Sequence, residues 1–277
     1  MKNTLGNKCV KKITSKDIID FHNYLDEQKI IIKNEYSKKG VGEHPLSISY
    51  KQSIHTTLSS ILNFGCKYIG LEKNVAKIVG NFKTPKGTKK NEMNILTIND
   101  FENFICFEEN DIYKRFFTIL FYTGMRRGEL LALTVDDINF ETREINIDKA
   151  INPKNGVLAE LPKTDKSNRK IKMVNKVFDL LKEYVPICNQ ELFGLQKIKP
   201  TTLQRKCDNN CKKANITRNI RIHDFRHSFA SMCIDKGVPI EVISEYIGHE
   251  NILTTLETYA RLYPNSQDKL INILGDI

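Results

Sequence analysis

The stretch TGMRRGELLAL at residues 123–133 is predicted to join the end of one helix to the start of another. Gly124 follows a segment with helical spacing, and glycine is the residue that most often ends a helix. A further helix begins near Arg126 and runs through Leu133. The sequence therefore predicts two helices that meet at Arg126, which has a second arginine, Arg127, beside it.

Length and composition indicate a soluble globular protein of about two domains. The chain has 277 residues, of which 40% are hydrophobic and 27% charged. These values exclude a disordered or collagen-like chain, and the sequence shows neither a signal peptide nor an apolar run of membrane-spanning length. Its odd number of cysteines, seven, is typical of reduced thiols in a cytoplasmic protein. We read the Cys207/Cys211 pair as incidental rather than as part of a zinc site.

Positive charge is concentrated in the first third of the chain. Residues 1–92 contain 17 Lys, no Arg and eight acidic residues, a net charge of +9, whereas the other 185 residues carry only +1. A basic module beside a near-neutral one favours a polyanion as the partner of the first and chemistry in the second. A lysine-rich solvated face is the simpler alternative.

Hydrophobic periodicity predicts a mainly α fold with one small antiparallel sheet, an α+β class. In the N-terminal part, helices are predicted at 14–28 and 47–68, with a loop at 31–47. In the C-terminal part, two strands are predicted at 144–148 and 169–173. Helices are predicted around them at 98–108, 111–122, 126–133, 175–185, 200–213, 224–236, 239–247 and 252–262. The first of these begins at a predicted capping box, Thr97 with Asp100.

Two basic or polar segments are candidates for DNA contact. One is the polar face of the 47–68 helix, with groups suited to phosphate and base-edge contacts, among them Lys51, Gln52 and His55. The other is a segment at 84–93 that we interpret as a linker between the domains and that carries Lys86, Lys89 and Lys90.

Three further blocks follow TGMRRGELLAL in a fixed order. They are HDFRH at 223–227, IGH at 247–249 and a tyrosine, Tyr259, ten residues beyond His249. PKT at 162–164 precedes the second predicted strand. Together these blocks closely resemble the tyrosine recombinase, or phage integrase, family, and in particular a lambda-type integrase of a bacterial prophage or integrative element.

The resemblance implies six catalytic positions: Arg126, Lys163, His223, Arg226, His249 and Tyr259. Arg126 and Arg226 match the two phosphate-binding arginines, and Tyr259 matches the nucleophile. Lys163 matches a lysine on a β-hairpin, and Glu129 an acid that helps to position the first arginine. His227 is not among the six, and Arg127 is expected on the surface or against the DNA backbone.

These residue types suit phosphodiester chemistry on physical grounds. Two guanidiniums can each bind phosphate oxygens through a planar fork, and they stay charged at any working pH. They can therefore neutralise the charge on the phosphate, as a metal ion does in metal-dependent nucleases. The sequence has no P-loop and no HExxH motif. We therefore expect strand cleavage and ligation without a metal, another cofactor or ATP.

The resemblance also implies an organisation and partners. Residues 1–83 would be a core-binding, SAM-like helical domain, N-terminally shortened, and residues 94–277 a catalytic domain with a C-terminal tail helix. The partners would be duplex DNA attachment sites and further copies of the chain, as a homotetramer formed on DNA by tail exchange. An excisionase or DNA-bending protein is a further candidate partner.

Two other functions stay open from the sequence. The short N-terminus favours a DNA-binding remnant without full strand exchange, although all six catalytic positions are present. A relaxing enzyme of the type IB topoisomerase kind would share the tyrosine chemistry, but the tail helix and the separate DNA-clamp domain favour a recombinase.

Overall fold

The computed structural model describes residues 5–32, 41–85, 93–152, 156–160, 168–188, 190–193, 200–249 and 251–259. The chain divides into two compact units, Met1–Asn91 and Glu92–Ile277. Their boundary falls within the segment 84–93 that we interpret as a linker. Of the residues proposed there as DNA contacts, Lys86, Lys89 and Lys90 lie outside the described residues, as do Lys163 and the C-terminal tail after Tyr259.

Within the described residues, the N-terminal unit contains three α-helices, a short 3-10 helix (Val10–Lys12) and a hairpin. The helices are α1 (Ser15–Glu27), α2 (Ile48–Tyr68) and α3 (Val75–Val79), and the hairpin pairs β1 (Lys29–Ile32) with β2 (Gly42–Pro45). The hairpin corrects the loop predicted at 31–47. Its first strand is the β-branched run Ile30–Ile32, whose preference for extended backbone outweighs the nearby glycines.

The buried stripe of α2 differs from the one its apolar residues predict. Lys51, His55, Leu58, Leu62 and Gly65 are buried at successive helical turns, whereas the apolar Ile61 and Phe64 are exposed. Lys51 and His55 therefore do not lie on an open polar face, because both side chains are buried within the unit; their contact with DNA stays a prediction.

Each of these inward polar groups has a partner that makes its burial tolerable. The Lys51 ammonium donates to Asp26 of α1 at 2.6 Å, and His55 Nδ1 lies 2.8 Å from His22 Nε2. The Gln52 amide is half-buried and donates to the Phe82 carbonyl at 2.8 Å. Gln52 is thus engaged within the unit too, and its contact with DNA stays a prediction.

The C-terminal unit is mainly helical, which confirms the predicted fold class. Its helices are α4 (Ile98–Cys106), α5 (Asp111–Thr123), α6 (Arg127–Ala132), α7 (Asn175–Tyr184), α8 (Pro200–Lys213), α9 (Asp224–Asp235), α10 (Ile240–Ile247) and α11 (Ile252–Tyr259). The predicted capping box is present, since the Thr97 hydroxyl and the Asp100 carboxylate each accept a backbone N–H across the first turn of α4.

In the part of this unit that the structure describes, two small antiparallel sheets accompany the helices. In one, β4 (Glu144–Ile147) lies between β3 (Ile138–Asn139) and β7 (Arg169–Lys172), as predicted for the two longer strands. In the other, β5 (Lys149–Ile151) pairs with β6 (Leu158–Glu160).

An aromatic core holds α5 against α9. Phe117 and Phe121 of α5 and Phe225 of α9 are all fully buried, and the Phe117 and Phe225 rings stack with centroids 5.6 Å apart. Burial of rings of this size dominates the packing energy of a core. The packing fixes the C-terminal end of α5 beside the N-terminal end of α9, where the sequence blocks at 123–133 and 223–227 come together.

Gly124 ends α5 in the left-handed conformation, with φ of +62°. A Cβ at this position would lie 2.6 Å from the Phe229 ring of α9. Only glycine satisfies both the backbone and the packing, so the break between α5 and α6 that presents Arg126 is fixed by this residue. Within the described residues, no helix is long and apolar enough to cross a membrane.

Candidate active site

Arg226 is a buried cation with an unused hydrogen-bond donor. It lies in the first turn of α9, is 1% exposed, and donates from Nη1 to the Gly124 carbonyl at 3.0 Å. Its Nη2 is buried and has no hydrogen-bond partner within the described part of the chain. Burial, reinforced by the charge of Arg126, lowers the pKa of Arg226 to about 9. Such a group costs free energy until an anion binds it.

Arg126 presents a second guanidinium, which is more exposed. It occupies the N-cap position of α6, donates from Nη1 to Glu129 and from Nη2 to the Gly248 carbonyl, both at 2.8 Å. The side chain is 44% exposed. Arg126 thus links the α5–α6 turn to the turn after α10 while its outer face stays open.

Glu129 is the buried anion that organises this side of the site. Its side chain is 0% exposed, and it accepts hydrogen bonds from Arg126 and, as a fork, from Arg169 of β7 at 3.1 and 2.8 Å. Burial by itself would raise the pKa of Glu129. The hydrogen bonds and charge of Arg169 and the charge of Arg126 outweigh it and lower the pKa to about 2.

The sequence reasoning missed Arg169, although a signal was present. Residues alternate along β7, so Arg169 shares a face with the buried Ile171 rather than with the exposed Lys170. Its guanidinium also donates from Nε to the Tyr246 carbonyl at 2.9 Å. A long cation on the inward face of a strand indicates a buried acidic partner.

The turn after α10 places His249. Gly248 ends the helix in the left-handed conformation, with φ of +70°, and the His249 N–H donates to the Ser244 carbonyl at 3.0 Å. His249 Nδ1 lies 2.6 Å from the Thr255 hydroxyl of α11. Burial and the charges of Arg226 and Arg126 lower the pKa of His249 to about 4, so its ring is neutral at pH 7.

His223 and His227 stand one helical turn apart at the start of α9. Their rings are nearly perpendicular, with centroids 4.9 Å apart. Burial, with the neighbouring charges of His227 and Arg226, lowers the pKa of His223 to about 4. Burial also lowers the pKa of His227. Both rings are therefore neutral at pH 7.

Tyr259 is the last residue of α11 and is 0% exposed. Its hydroxyl oxygen lies 2.8 Å from His227 Nδ1. Burial raises the pKa of Tyr259 to about 12, against the opposing charge of Arg226. The phenol is therefore protonated in the free protein and lies within reach of a neutral imidazole.

The structure thus brings five of the six predicted catalytic residues to one place. Arg126, His223, Arg226, His249 and Tyr259 are linked by the contacts and charge interactions described above. A cavity of about 350 Å³ opens beside them. It is lined by Met125, Arg126, Arg127, Gly128, Glu129, Ala150, Ile151, Ile222 and His223. The described residues contain no cluster of His, Cys, Asp or Glu suited to a metal ion.

His227 is the second residue that sequence reasoning missed. It follows Arg226 directly and was set aside as outside the family's six positions. Its spacing of four residues from His223 places both rings on one helix face, which is the signal that could have identified it.

A family model described as "Phage integrase family" matches residues 89–266. Among curated proteins, the ICEBs1 integrase of Bacillus subtilis is 30% identical over 97% of this chain and 72% of its own length. A tyrosine recombinase of Thermosipho africanus is 31% identical over 53% of this chain and 50% of its own length.

The fold is also found among solved structures. The Tn1549 transposon integrase in complex with transposon right end DNA superposes with a TM-score of 0.73 at 20% identity, covering 98% of this chain and 88% of that one. A lambda integrase dimer bound to a core site gives a TM-score of 0.61 at 15% identity, covering 93% and 83%. At these identities the likeness is one of fold.

Proposed function

The chain belongs to the phage integrase family of tyrosine recombinases, and from that premise we propose that it cuts and rejoins duplex DNA through a covalent 3′-phosphate ester of Tyr259. The biological event would be the integration or excision of a mobile element. The ICEBs1 integrase and the Tn1549 transposon integrase, to which the chain is similar, support that setting by their names.

One observation carries the proposal. Arg226 is buried and charged, and its Nη2 has no partner among the described residues, while the Tyr259 hydroxyl lies in the same cluster. An anion placed against Nη2 would satisfy the guanidinium, and the charge of this guanidinium also acts on the Tyr259 phenol. A DNA phosphodiester is the anion that also supplies an electrophile for that oxygen.

The two arginines would stabilise the transition state. Attack of the phenol oxygen on phosphorus concentrates negative charge on the non-bridging oxygens, and Arg126 and Arg226 approach from two different turns of the chain. Preorganised donors of this kind contribute about 100- to 1000-fold each to the rate. His223 and His249, neutral at pH 7, can each add a hydrogen bond to the same oxygens.

The products explain why the cycle needs no energy source. Attack forms an O–P bond to Tyr259 and breaks the bond to the 5′ oxygen, which takes up a proton and leaves as a hydroxyl. Because a phenolate leaves more readily than an alkoxide, a DNA 5′ hydroxyl can attack the ester and restore the backbone. We assign the proton donor to Lys163, whose ammonium has the required chemistry.

We further propose that the basic N-terminal unit holds the duplex and that exchange takes place in a homotetramer on DNA. Its net charge of +9 over residues 1–92 suits the phosphate backbone. Exchange of the C-terminal tail between copies would join them, and an excisionase or DNA-bending protein would set direction. The protein would act on DNA in the bacterial cytoplasm.

The test is a suicide substrate made from the ends of the element that carries the gene. A nick placed a few nucleotides 3′ of the cleavage site lets the 5′-hydroxyl fragment diffuse away, so that the covalent complex accumulates and survives denaturing electrophoresis. Wild type should form the adduct. Tyr259→Phe should form none, with unchanged affinity for the same duplex in a mobility-shift assay.

The outcomes separate the alternatives. Binding without an adduct by wild type would show a DNA-binding remnant and refute the proposal. An adduct on any supercoiled plasmid, with relaxation and no joining of two attachment sites, would show a relaxing enzyme. Joining of two sites in wild type, lost in Tyr259→Phe, would establish recombination.

A further inference from the structure

Three histidines surround the proposed reaction centre, and they differ in what they contact. His227 Nδ1 lies 2.8 Å from the Tyr259 hydroxyl. His249 uses its Nδ1 on Thr255, at 2.6 Å. His223 has a ring contact with His227 but no hydrogen bond to Tyr259 in the described structure. Only one of the three is therefore placed to exchange a proton directly with the phenol.

The contact between His227 and Tyr259 is held from both sides. His227 lies in the first turn of α9, next to the fully buried Arg226. Tyr259 is 0% exposed and packs in a cluster with Phe229 and Ile243. A pair fixed by two packed helices does not need to be assembled when the substrate binds, which is the geometric requirement for efficient proton transfer.

The surroundings keep His227 available as an acceptor. The charged groups that act on it are Asp224, which favours the protonated ring, and Arg221 and Arg226, which together with burial oppose it. The other ring neighbours are His223 and Tyr259 itself. Since the phenol keeps its proton in the free protein, its O–H can donate to Nδ1 while the imidazole carries its own proton on Nε2.

We propose that His227 is a catalytic residue, the group that accepts the Tyr259 proton during strand cleavage. This assignment rests on the proposed function and deepens it. The Tyr259 O–H bond breaks and the proton moves to Nδ1, as the phenol oxygen bonds to phosphorus and the 5′ oxygen departs. On resealing, the same proton returns from Nδ1 to the departing phenol oxygen, so the imidazole is restored after each cycle.

This role differs from the one that the motif alone suggests. The family resemblance directs attention to His223 and His249 and leaves His227 out. In this chain the charges of Arg226 and Arg126 act on both of those rings, so we assign them to the phosphate oxygens that the two arginines bind. The three histidines therefore receive different roles, according to the atom that each of them contacts.

The test compares His227→Asn with His223→Asn in full-length protein. The side-chain oxygen of Asn reaches close to the position of a His Nδ1, so the variant can keep a hydrogen bond to the phenol but cannot take its proton. We measure single-turnover adduct formation on the suicide substrate between pH 5.5 and 8.5, a range in which Arg226, with a pKa of about 9, keeps its charge. Melting temperature and duplex affinity confirm that each variant is folded and binds DNA; His227→Gln replaces the first variant should it not fold.

The wild-type rate should already be level at neutral pH and fall only on the acid side, because burial lowers the pKa of His227. His227→Asn should cleave about 100-fold more slowly at pH 7. Its rate should keep rising about tenfold per pH unit to the top of the range, because hydroxide must take the proton. His223→Asn should be slower than wild type but should level off at the same pH.

A second substrate distinguishes the loss of a general acid from the loss of a general base. A 5′-bridging sulfur in place of the leaving oxygen departs without a proton, so it rescues loss of a general acid and leaves loss of a base uncorrected. His227→Asn should stay about 100-fold below wild type on it.

Three results would overturn the assignment while leaving the proposed function intact. They are a wild-type rate in His227→Asn, rescue of that variant by the sulfur substrate, or the continuously rising pH profile in His223→Asn instead. Absence of any adduct in wild type would instead remove the proposed function on which the assignment rests.

Discussion

Arg169→Gln tests how the buried carboxylate of Glu129 is held. The substitution removes the guanidinium fork and leaves Glu129 with its bonds from Arg126 alone. Two of the four hydrogen bonds to the carboxylate are lost, those of 3.1 and 2.8 Å from Arg169. The carboxylate stays 0% exposed, so water cannot replace them.

Three estimates of the cost agree. Hydrogen bonds to a charged group contribute about 1.5–3 kcal/mol each, which gives about 3–6 kcal/mol for two, and breaking a buried ion pair costs about 3–5 kcal/mol. Lowering the pKa of Glu129 from 4.5 to about 2 corresponds to about 3 kcal/mol of stability. We therefore expect Arg169→Gln to lower the free energy of unfolding by about 3–4 kcal/mol at pH 7.

The pH dependence identifies the cause. A carboxyl group whose pKa is lowered in the folded state contributes stability above its unfolded pKa, and this is lost as the pH falls through the folded one. For Glu129 that window runs from about pH 5 down to about pH 2. The difference between wild type and Arg169→Gln should therefore be greatest above pH 5 and shrink towards pH 2.

The assay is urea unfolding followed by far-ultraviolet circular dichroism at several pH values. Hydrogen exchange of peptides from α5 and α6 assigns the change to the C-terminal unit. Arg169→Lys is the matched control, since it keeps the positive charge but not the guanidinium fork. It should lower the free energy of unfolding by about half as much as Arg169→Gln. Two results would refute the reasoning. One is a decrease in the free energy of unfolding of less than about 1 kcal/mol at pH 7. The other is a difference between wild type and Arg169→Gln that stays constant down to pH 3.

Three further predictions concern the site. Arg226→Lys should slow adduct formation on the suicide substrate at least 100-fold with little change in duplex affinity, because an ammonium cannot replace both arms of a buried fork. Gly248→Ala should lower the melting temperature more than Gly237→Ala and should also slow cleavage. Both glycines have positive φ, but only at 248 would a Cβ meet the Arg169 guanidinium, 2.8 Å away, and at 237 nothing lies within 4 Å. EDTA should leave the adduct yield unchanged, since the guanidiniums carry the charge; inhibition would point to a bound metal.

Local sequence signals predicted most of the secondary structure. The capping box at Thr97, the glycine stop at Gly124 and the alternation along β7 each act within a few residues, and the structure contains all three. The motif spacing also selected five described residues that meet in space. The sequence therefore predicted the scaffold and the residues that come together at the site.

The sequence could not predict which polar side chains, distant along the chain, pair with one another in the fold. Lys51 and His55 read as an open polar face of α2, because their partners Asp26 and His22 lie on another helix. Likewise, nothing near Arg169 in the sequence indicates that Glu129, 40 residues earlier, neutralises it. Burial of a polar group depends on a partner that only the tertiary structure identifies.

The unpaired donor of Arg226 has a thermodynamic consequence. The folded protein carries a cost that is relieved only when an anion binds, so ligand binding and folding stability are coupled. Duplex DNA with a phosphate seated on Nη2 should therefore raise the melting temperature of wild type more than that of Arg226→Gln, whose neutral side chain leaves no charge to satisfy. Non-specific binding by the N-terminal lysines, in contrast, should stabilise both proteins alike and should disappear at high salt. A salt-resistant stabilisation present in wild type and absent in Arg226→Gln would place the phosphate at this guanidinium. Equal stabilisation at every salt concentration would mean that DNA does not reach it.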